Sequence, residues 1–80
     1  MYIVYVLQDQ DGRVYKGMTN DLERRLLEHR RGKTKTTRFM VNLHVVYTEE
    51  YPTQEEARSR EVYLKTAAGR RFLKLKITRP

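Results

Sequence analysis

The sequence predicts a mixed α/β (α+β) domain with the element order β-β-α-β-α. Two stretches rich in β-branched and aromatic residues, at positions 2–8 and 13–19, flank a short turn that contains Gly12, a pattern typical of a β-hairpin. Two helix starts with capping-box patterns follow, and a third β-rich stretch lies between them. Because the chain has only 80 residues, we expect residues 1–80 to form one domain with a modest core.

The length of the hairpin loop decides where two tyrosines point. If residues 10–12 form the loop with Gly12 in the left-handed position, Leu7 pairs with Tyr15 and Tyr5 pairs with Gly17. Tyr5 and Tyr15 are then diagonal neighbours on one sheet face. A loop of two or four residues would place them on opposite faces, but the position of Gly12 favours three.

The first helix is predicted to start after the hairpin. Asn20 can cap it, Glu23 completes a capping box, and the helix should run to about Arg31 and stop at Gly32. A basic, threonine-rich segment follows, which is too polar to be core.

The second half of the chain is predicted to contain a strand and a helix. The strand covers residues 41–51 and ends at Pro52. Thr53 and Glu56 form a second capping box, which opens a helix that extends to Gly69. Residues 70–80 fit no single period, so both a short helix and an extended arm stay open.

Composition indicates a polyanionic partner. Seventeen lysines and arginines against ten acidic residues give a net charge of +7 and a pI of about 10.0. This balance favours binding to nucleic acid over a basic surface that only keeps the domain soluble. The absence of cysteine excludes disulfides, thiolate–zinc sites and thiol catalysis. Without a long apolar run or a signal-peptide pattern, we expect a cytoplasmic protein with no membrane association.

Two predicted helices carry ionisable side chains where apolar ones are expected. Leu22, Arg25, Leu26 and His29 share one face of the first helix. On the last predicted helix, Glu61 projects into the apolar stripe of Ala57, Leu64 and Ala68. Arg25 can snorkel and His29 can form a core hydrogen bond. Glu61 can pair with Arg25, accept from a tyrosine, or act as the single carboxylate of a Mg²⁺ site.

Together, the inward-facing groups suit hydrolysis of a phosphodiester. They are Tyr5, Tyr15, Arg25, His29 and Glu61. A metal can polarise the phosphate, and a guanidinium can stabilise the extra charge of the transition state. A tyrosine can take a proton from water only if cations lower its pKa, and Arg25, His29 and the metal are the available cations.

Two basic clusters are candidates for nucleic-acid contacts. The first comprises Arg30, Arg31, Lys33, Lys35 and Arg38, which directly follow the helix that bears Arg25 and His29. The second comprises Arg70, Arg71, Lys74, Lys76 and Arg79. Such clusters are often only solvated faces, but here they can bind the backbone on either side of a scissile bond.

These residues, in this order and spacing, resemble the GIY-YIG endonuclease superfamily, most closely its small stand-alone bacterial members. The matching elements are Tyr5 in "IVY", "YKG" at 15–17, the pattern of Leu22, Arg25 and His29, and Glu61 in "REVYLKTAAGRRFLK". The resemblance covers nearly the whole chain. It implies a three-stranded antiparallel sheet flanked by helices and a nuclease that uses a divalent metal, Mg²⁺ or Mn²⁺, to cut one DNA strand per active site.

The resemblance also implies residue roles. Tyr5 or Tyr15 is the general base, Arg25 stabilises the phosphate, His29 supports a tyrosine and Glu61 binds the metal. Three departures stand out: Ile3 replaces a signature glycine, Lys16 replaces an apolar residue, and no asparagine occurs near the end of the domain. Lys16 indicates that the opposite sheet face is partly open.

We therefore expect a metal-dependent DNA endonuclease that is structure-selective or weakly sequence-specific and acts in DNA repair or turnover. No appended DNA-binding domain is expected, which argues against strong sequence specificity. RNA stays open as a substrate, and we expect a monomer or a weak homodimer. The alternatives are a non-catalytic nucleic-acid-binding module on the same fold and a protein whose basic face binds an acidic protein.

Overall fold

The computed structural model describes residues 1–77. Its elements are β1 (Tyr2–Gln8), β2 (Val14–Thr19), α1 (Leu22–Arg30), β3 (His44–Tyr51), α2 (Gln54–Leu64) and α3 (Ala67–Ile77). The strands form one antiparallel sheet in the order β2-β1-β3. The predicted fold class is confirmed, and residues 70–77 belong to a helix rather than an extended arm.

The hairpin has the predicted register. Leu7 lies opposite Tyr15 and Tyr5 lies opposite Gly17. Gly12 has a φ of +85°, a conformation that costs glycine little because it has no Cβ. The three-residue loop therefore brings both tyrosines to one sheet face.

The central strand β1 is buried on both faces, so the sheet separates two apolar clusters. On one face the buried residues are Val4, Val6, Ala57, Leu64 and Leu73, which join β1 to α2 and α3. On the other face the buried residues are Tyr5, Leu7 and Leu43, and α1 packs its half-buried Leu22 and Leu26 against them. The two candidate tyrosines thus lie on the α1 side.

The prediction that Asn20 caps the first helix is wrong. Asp21 is the N-cap, and its side chain accepts a hydrogen bond from the Arg24 N–H at 3.1 Å. The Asp21 N–H in turn donates to Thr19 Oγ1 at 3.1 Å, which fixes the cap at the end of β2. Asn and Asp cap helices about equally well, so the sequence did not separate the two positions.

β3 begins later than predicted, at His44 rather than at Val41. Asn42 has a φ of +59°, which is incompatible with an extended strand. By contrast, Thr53 is the N-cap of α2 as predicted: its Oγ1 accepts from the Glu56 N–H at 3.2 Å, and its hydroxyl, not its backbone N–H as in a full capping box, donates to Glu56 Oε1 at 3.0 Å.

The predicted helix to Gly69 is in fact two helices. α2 ends at Leu64, and Thr66 Oγ1 accepts from the Gly69 N–H at 3.1 Å, as an N-cap of α3 does. Gly69 lies inside α3, where a Cβ would stand 2.5 Å from Leu64 Cα, so this glycine permits close packing of the two helices. Ala68 is exposed and does not belong to the apolar stripe. None of the helices in residues 1–77 has the length and apolar character needed to cross a bilayer.

Candidate functional site

The site is built around two tyrosines whose ring centroids lie 6.2 Å apart. Gly17 makes this arrangement possible because it faces Tyr5 across the hairpin. A Cβ on Gly17 would lie 2.7 Å from Tyr5 Oη and 3.0 Å from Tyr15 Cε2, both closer than normal contact. The segment 15–17 thus supplies Tyr15 together with the space that Tyr5 needs.

His29 connects the tyrosines to the loop that follows α1. Its Nε2 lies 2.9 Å from Tyr5 Oη, and its ring centroid lies 4.9 Å from that of Tyr15. Its Nδ1 lies 2.7 Å from Thr37 Oγ1. Tyr5, His29 and Thr37 are each at most 1% exposed, so these hydrogen bonds form away from water.

Burial and then the charge of Arg25 lower the pKa of His29 below its ordinary value. A lowered pKa favours the neutral imidazole at pH 7, which argues against His29 as one of the cations near the tyrosines. Its role in this geometry is that of a hydrogen-bonding partner, with one ring nitrogen as donor and the other as acceptor.

Arg25 supplies the permanent positive charge at the site. Its Nη1 donates to Glu28 Oε1 at 2.9 Å, and its side chain is 34% exposed. The Glu28 carboxylate and then the Tyr5 hydroxyl raise the pKa of Arg25 above its usual range. The guanidinium thus snorkels at the edge of the α1 face, as one interpretation of the sequence predicted. Its positive charge lies beside Tyr5.

Tyr5 does not have a lowered pKa. Burial raises the pKa of Tyr5 to about 12, and this outweighs the opposing hydrogen bond from Arg25. The negative charge of Glu61 raises the pKa of Tyr5 further.

Glu61 pairs with neither of the partners that the sequence suggested. Its Oε2 lies 3.0 Å from Lys65 Nζ, and its Oε1 lies 3.9 Å from Arg58 Nε. The Glu61 side chain is 15% exposed, whereas those of Lys65 and Arg58 are more than half exposed. Within residues 1–77, no cluster of three or more His, Asp or Glu side chains is placed to hold a metal.

The first basic cluster lies in and beside the connection between α1 and β3. Arg30 directs its guanidinium to the Leu43 carbonyl, with N–O distances of 3.2 and 2.9 Å, and the guanidinium of Arg38 lies 5.2 Å from the Phe39 ring centroid. In the described part of the chain, no member of this cluster forms an ion pair with an acidic side chain. Its positive charge is therefore available to a polyanion.

Arg70 lies on the opposite sheet face from the tyrosines, in a cleft of about 260 Å³. The residues that line this cleft are Gln8, Val14, Lys16, Arg70, Leu73, Lys74 and Ile77, so three cations and no carboxylate surround it. Burial lowers the pKa of Lys16 most, and the positive charges of Arg70 and Lys65 lower it further. Lys16 is half-buried at the rim, and Arg71 is exposed nearby on α3. Arg79 lies outside the described residues.

Sequence patterns did not identify Thr37 or Glu28, although both contact the candidate residues directly. Thr37 lies in an irregular loop without periodicity, so its burial could not be predicted. Glu28 was identifiable in principle, because it follows Arg25 at the i,i+3 spacing at which side chains meet on a helix.

Comparison with known proteins gives a matching family model, related sequences and a related solved structure. A model of the GIY-YIG catalytic domain matches residues 1–74. UPF0213 protein SSP2268 of Staphylococcus saprophyticus is 33% identical over 75 residues, and a UPF0213 protein of Staphylococcus aureus strain Mu3 is 36% identical over 75 residues; both alignments cover 92% of each chain. The solution NMR structure of UPF0213 protein BH0048 from Bacillus halodurans shares 34% identity with a TM-score of 0.58, and the match covers 96% of this chain and 87% of that one.

The match to a GIY-YIG catalytic domain indicates an endonuclease-type hydrolase. The chain belongs to the GIY-YIG family. Nucleases of this family generally use divalent metal ions.

Proposed function

We propose that the chain is a divalent-metal-dependent endonuclease that hydrolyses DNA phosphodiester bonds with structural selectivity or weak sequence preference. We further propose that it acts in the cytoplasm, in DNA repair or turnover, as a monomer or a weak homodimer. One observation carries the proposal. Tyr5, Tyr15 and His29 meet in one cluster, with Tyr5 Oη 2.9 Å from His29 Nε2 and the tyrosine ring centroids 6.2 Å apart, in a chain that belongs to the GIY-YIG family.

Tyr15 suits the role of general base better than Tyr5. A general base must contact the attacking water and release its own proton first. Tyr5 is 1% exposed, is hydrogen-bonded to His29 and has a pKa of about 12. Tyr15 is half-buried and packs against the same imidazole. We therefore assign proton transfer from water to Tyr15 and a supporting hydrogen bond to Tyr5.

Arg25 is proposed to hold the scissile phosphate. Its guanidinium stays charged at any working pH, and the ion pair with Glu28 restricts its side chain. It can therefore offer N–H donors in a fixed direction to non-bridging oxygens, whose charge increases in the transition state.

Glu61 is the residue that would hold the metal. Mg²⁺ is commonly bound by one or two carboxylates together with waters and substrate phosphate, so a site in which Glu61 supplies the protein carboxylate fits. The Lys65 and Arg58 side chains beside it are mostly exposed and can move away at little cost. When bound, the ion would supply positive charge to the phosphate and to the departing oxygen.

Two surfaces are proposed to bind the DNA backbone. The first consists of Arg30, Arg31, Lys33, Lys35 and Arg38, beside the tyrosine site; the second consists of Arg70 and Arg71 with Lys16 and Lys74 at the cleft. Both offer charged groups suited to phosphate rather than a shaped element for a groove, which supports weak sequence preference. RNA is an alternative ligand for the same groups.

Nicking of supercoiled plasmid and of branched DNA tests the proposal. Wild type should nick with Mg²⁺ or Mn²⁺, and Glu61→Ala should not, while both bind DNA equally without metal. Glu55→Ala is the matched control, because Glu55 is an exposed glutamate on the same helix. Equal nicking by wild type and Glu61→Ala would refute the metal assignment. Binding without nicking by any variant would favour a non-catalytic binding module.

A further inference from the structure

We propose that the exposed ring of Phe39 stacks on an unpaired base of the bound DNA. In the function proposed above, on which this role rests, the ring selects DNA that has a base outside the double helix. All eight aromatic side chains lie within the described residues, and only Phe39 and Tyr63 are exposed, at 73% and 38%. Phe39 thus presents most of an apolar ring to solvent.

The fold holds Phe39 in this outward position. Two residues before it, Thr37 is fully buried, and Thr37 Oγ1 lies 2.7 Å from His29 Nδ1. Directly after it, Met40 packs against the buried cluster on the α1 side of the sheet, and the Met40 N–H donates to the Thr37 carbonyl at 2.9 Å. Because the residues on both sides are anchored, the ring is oriented before binding and loses little conformational entropy when a ligand covers it.

The charges around the ring suit a nucleic acid better than an apolar partner. Residues 29–48 contain no aspartate or glutamate, and they include all five cations of the first basic cluster. The Arg38 guanidinium lies 5.2 Å from the centroid of the Phe39 ring. A nucleotide matches both groups, because its phosphate is an anion and its base has a π-face. An apolar protein surface would cover the ring only by removing water from unpaired cations, which is costly.

The ring fits an unpaired base because the faces of a paired base are covered by neighbouring base pairs. A flap, a gap, a branch or a single strand offers a free face. Stacking tolerates any sequence, since every base has a π-face, which agrees with weak sequence preference. Two residues of chain span at most about 7 Å, so the backbone of Phe39 lies close to that of Thr37 and thus to the imidazole at the tyrosine site.

Fluorescence anisotropy in EDTA compares binding of a blunt duplex with binding of the same duplex carrying a single-stranded flap. Wild type should bind the flap DNA more tightly, and Phe39→Ala should weaken flap binding by about 5- to 150-fold, the effect of one stacked base, with duplex binding and its salt slope unchanged. Tyr63→Ala is the matched control, because Tyr63 also carries a guanidinium over its exposed ring, that of Arg60 at 4.8 Å, but lies on α2; it should change neither affinity. Arg38→Ala should instead weaken binding of both DNAs and lower the salt slope of duplex binding by about 0.9.

Phe39→Trp gives a direct readout, because the sequence has no other tryptophan and the fluorescence therefore reports on this position alone. Flap DNA should quench it and blunt duplex should not. Equal affinity of wild type for the two DNAs, or unchanged flap affinity in Phe39→Ala, would overturn the proposal. So would a dimer that Phe39→Ala dissociates in sedimentation while flap affinity stays the same, since the ring would then bind a second copy. Flap preference without nicking would refute the nuclease alone, and nicking without flap preference would refute the stacking alone.

Discussion

Replacing Gly17 by alanine should damage the site through a single methyl group. The new Cβ would lie 2.7 Å from Tyr5 Oη, 2.8 Å from Tyr5 Cζ and 3.0 Å from Tyr15 Cε2. The Tyr5 hydroxyl would have to retreat by about 0.7 Å to restore an ordinary contact. Tyr5 is fully packed, so this movement must lengthen its hydrogen bond to His29 or spread the hairpin.

The size of the effect follows from these contacts. Overpacking of a well-packed core costs about 1–3 kcal/mol. The lower entropy of the unfolded alanine chain offsets about 0.4–1 kcal/mol of this. A net loss of about 1–2 kcal/mol lowers Tm by about 5–15 °C in a domain of this size. Displacement of a reacting group by about 1 Å can reduce a rate about 100-fold, so cleavage should fall by about 10- to 100-fold.

Thermal unfolding by circular dichroism and single-turnover cleavage measure the two effects. Gly12→Ala is the control, since Gly12 has a φ of +85° with no heavy atom near its Cβ position. It should lose about 1–2 kcal/mol through backbone strain yet cleave at the wild-type rate. The reasoning is refuted if Gly17→Ala matches wild type in both Tm and rate, or if Gly12→Ala loses as much activity as Gly17→Ala.

Three further predictions concern other parts of the molecule. Glu49→Gln should lower the free energy of unfolding by about 1–3 kcal/mol in urea, because Glu49 accepts two bonds from Arg60 and one from each of two tyrosine hydroxyls. Burial opposes ionisation of Glu49, but these bonds outweigh it and lower its pKa, so wild type should lose this stability only as pH falls below about 4.3. Lys16→Ala combined with Lys74→Ala should reduce the salt slope of duplex binding by about 1.8, from two lost phosphate contacts, and an unchanged slope would exclude the cleft. The lowered pKa of His29 predicts a separate loss of stability as pH falls below about 6.5, because the unfolded chain then binds the proton more readily; His29→Gln should abolish that slope.

Local chemistry made much of the fold predictable. Gly12 and the Thr53 cap each act through neighbours within a few residues, so the loop length, the hairpin register and the start of α2 followed from the sequence. The break between α2 and α3 did not follow. The break depends on Thr66 as a cap and on close packing at Gly69. Helical spacing alone predicts one continuous helix that ends at Gly69.

The candidate site was predictable to the same degree. The i, i+3 and i+7 spacing of Leu22, Arg25 and His29 placed the arginine and the imidazole on one helix face, and the structure brings both to Tyr5. Thr37 could not be predicted, because its burial depends on how an irregular loop folds over α1. The lowered pKa of His29 did not follow from the sequence either, since it depends on burial that residue types do not report.

Metal-triggered cleavage of a preformed complex tests the central claim most directly. End-labelled branched DNA is bound to excess wild-type protein or to Glu61→Ala in EDTA, and Mg²⁺ or Mn²⁺ is then added in excess while strand scission is followed. We predict that both proteins hold the DNA equally before the addition and that only the wild-type complex is cut after it. Scission in EDTA, or equal scission in the two complexes, would contradict a hydrolase whose metal is held by Glu61.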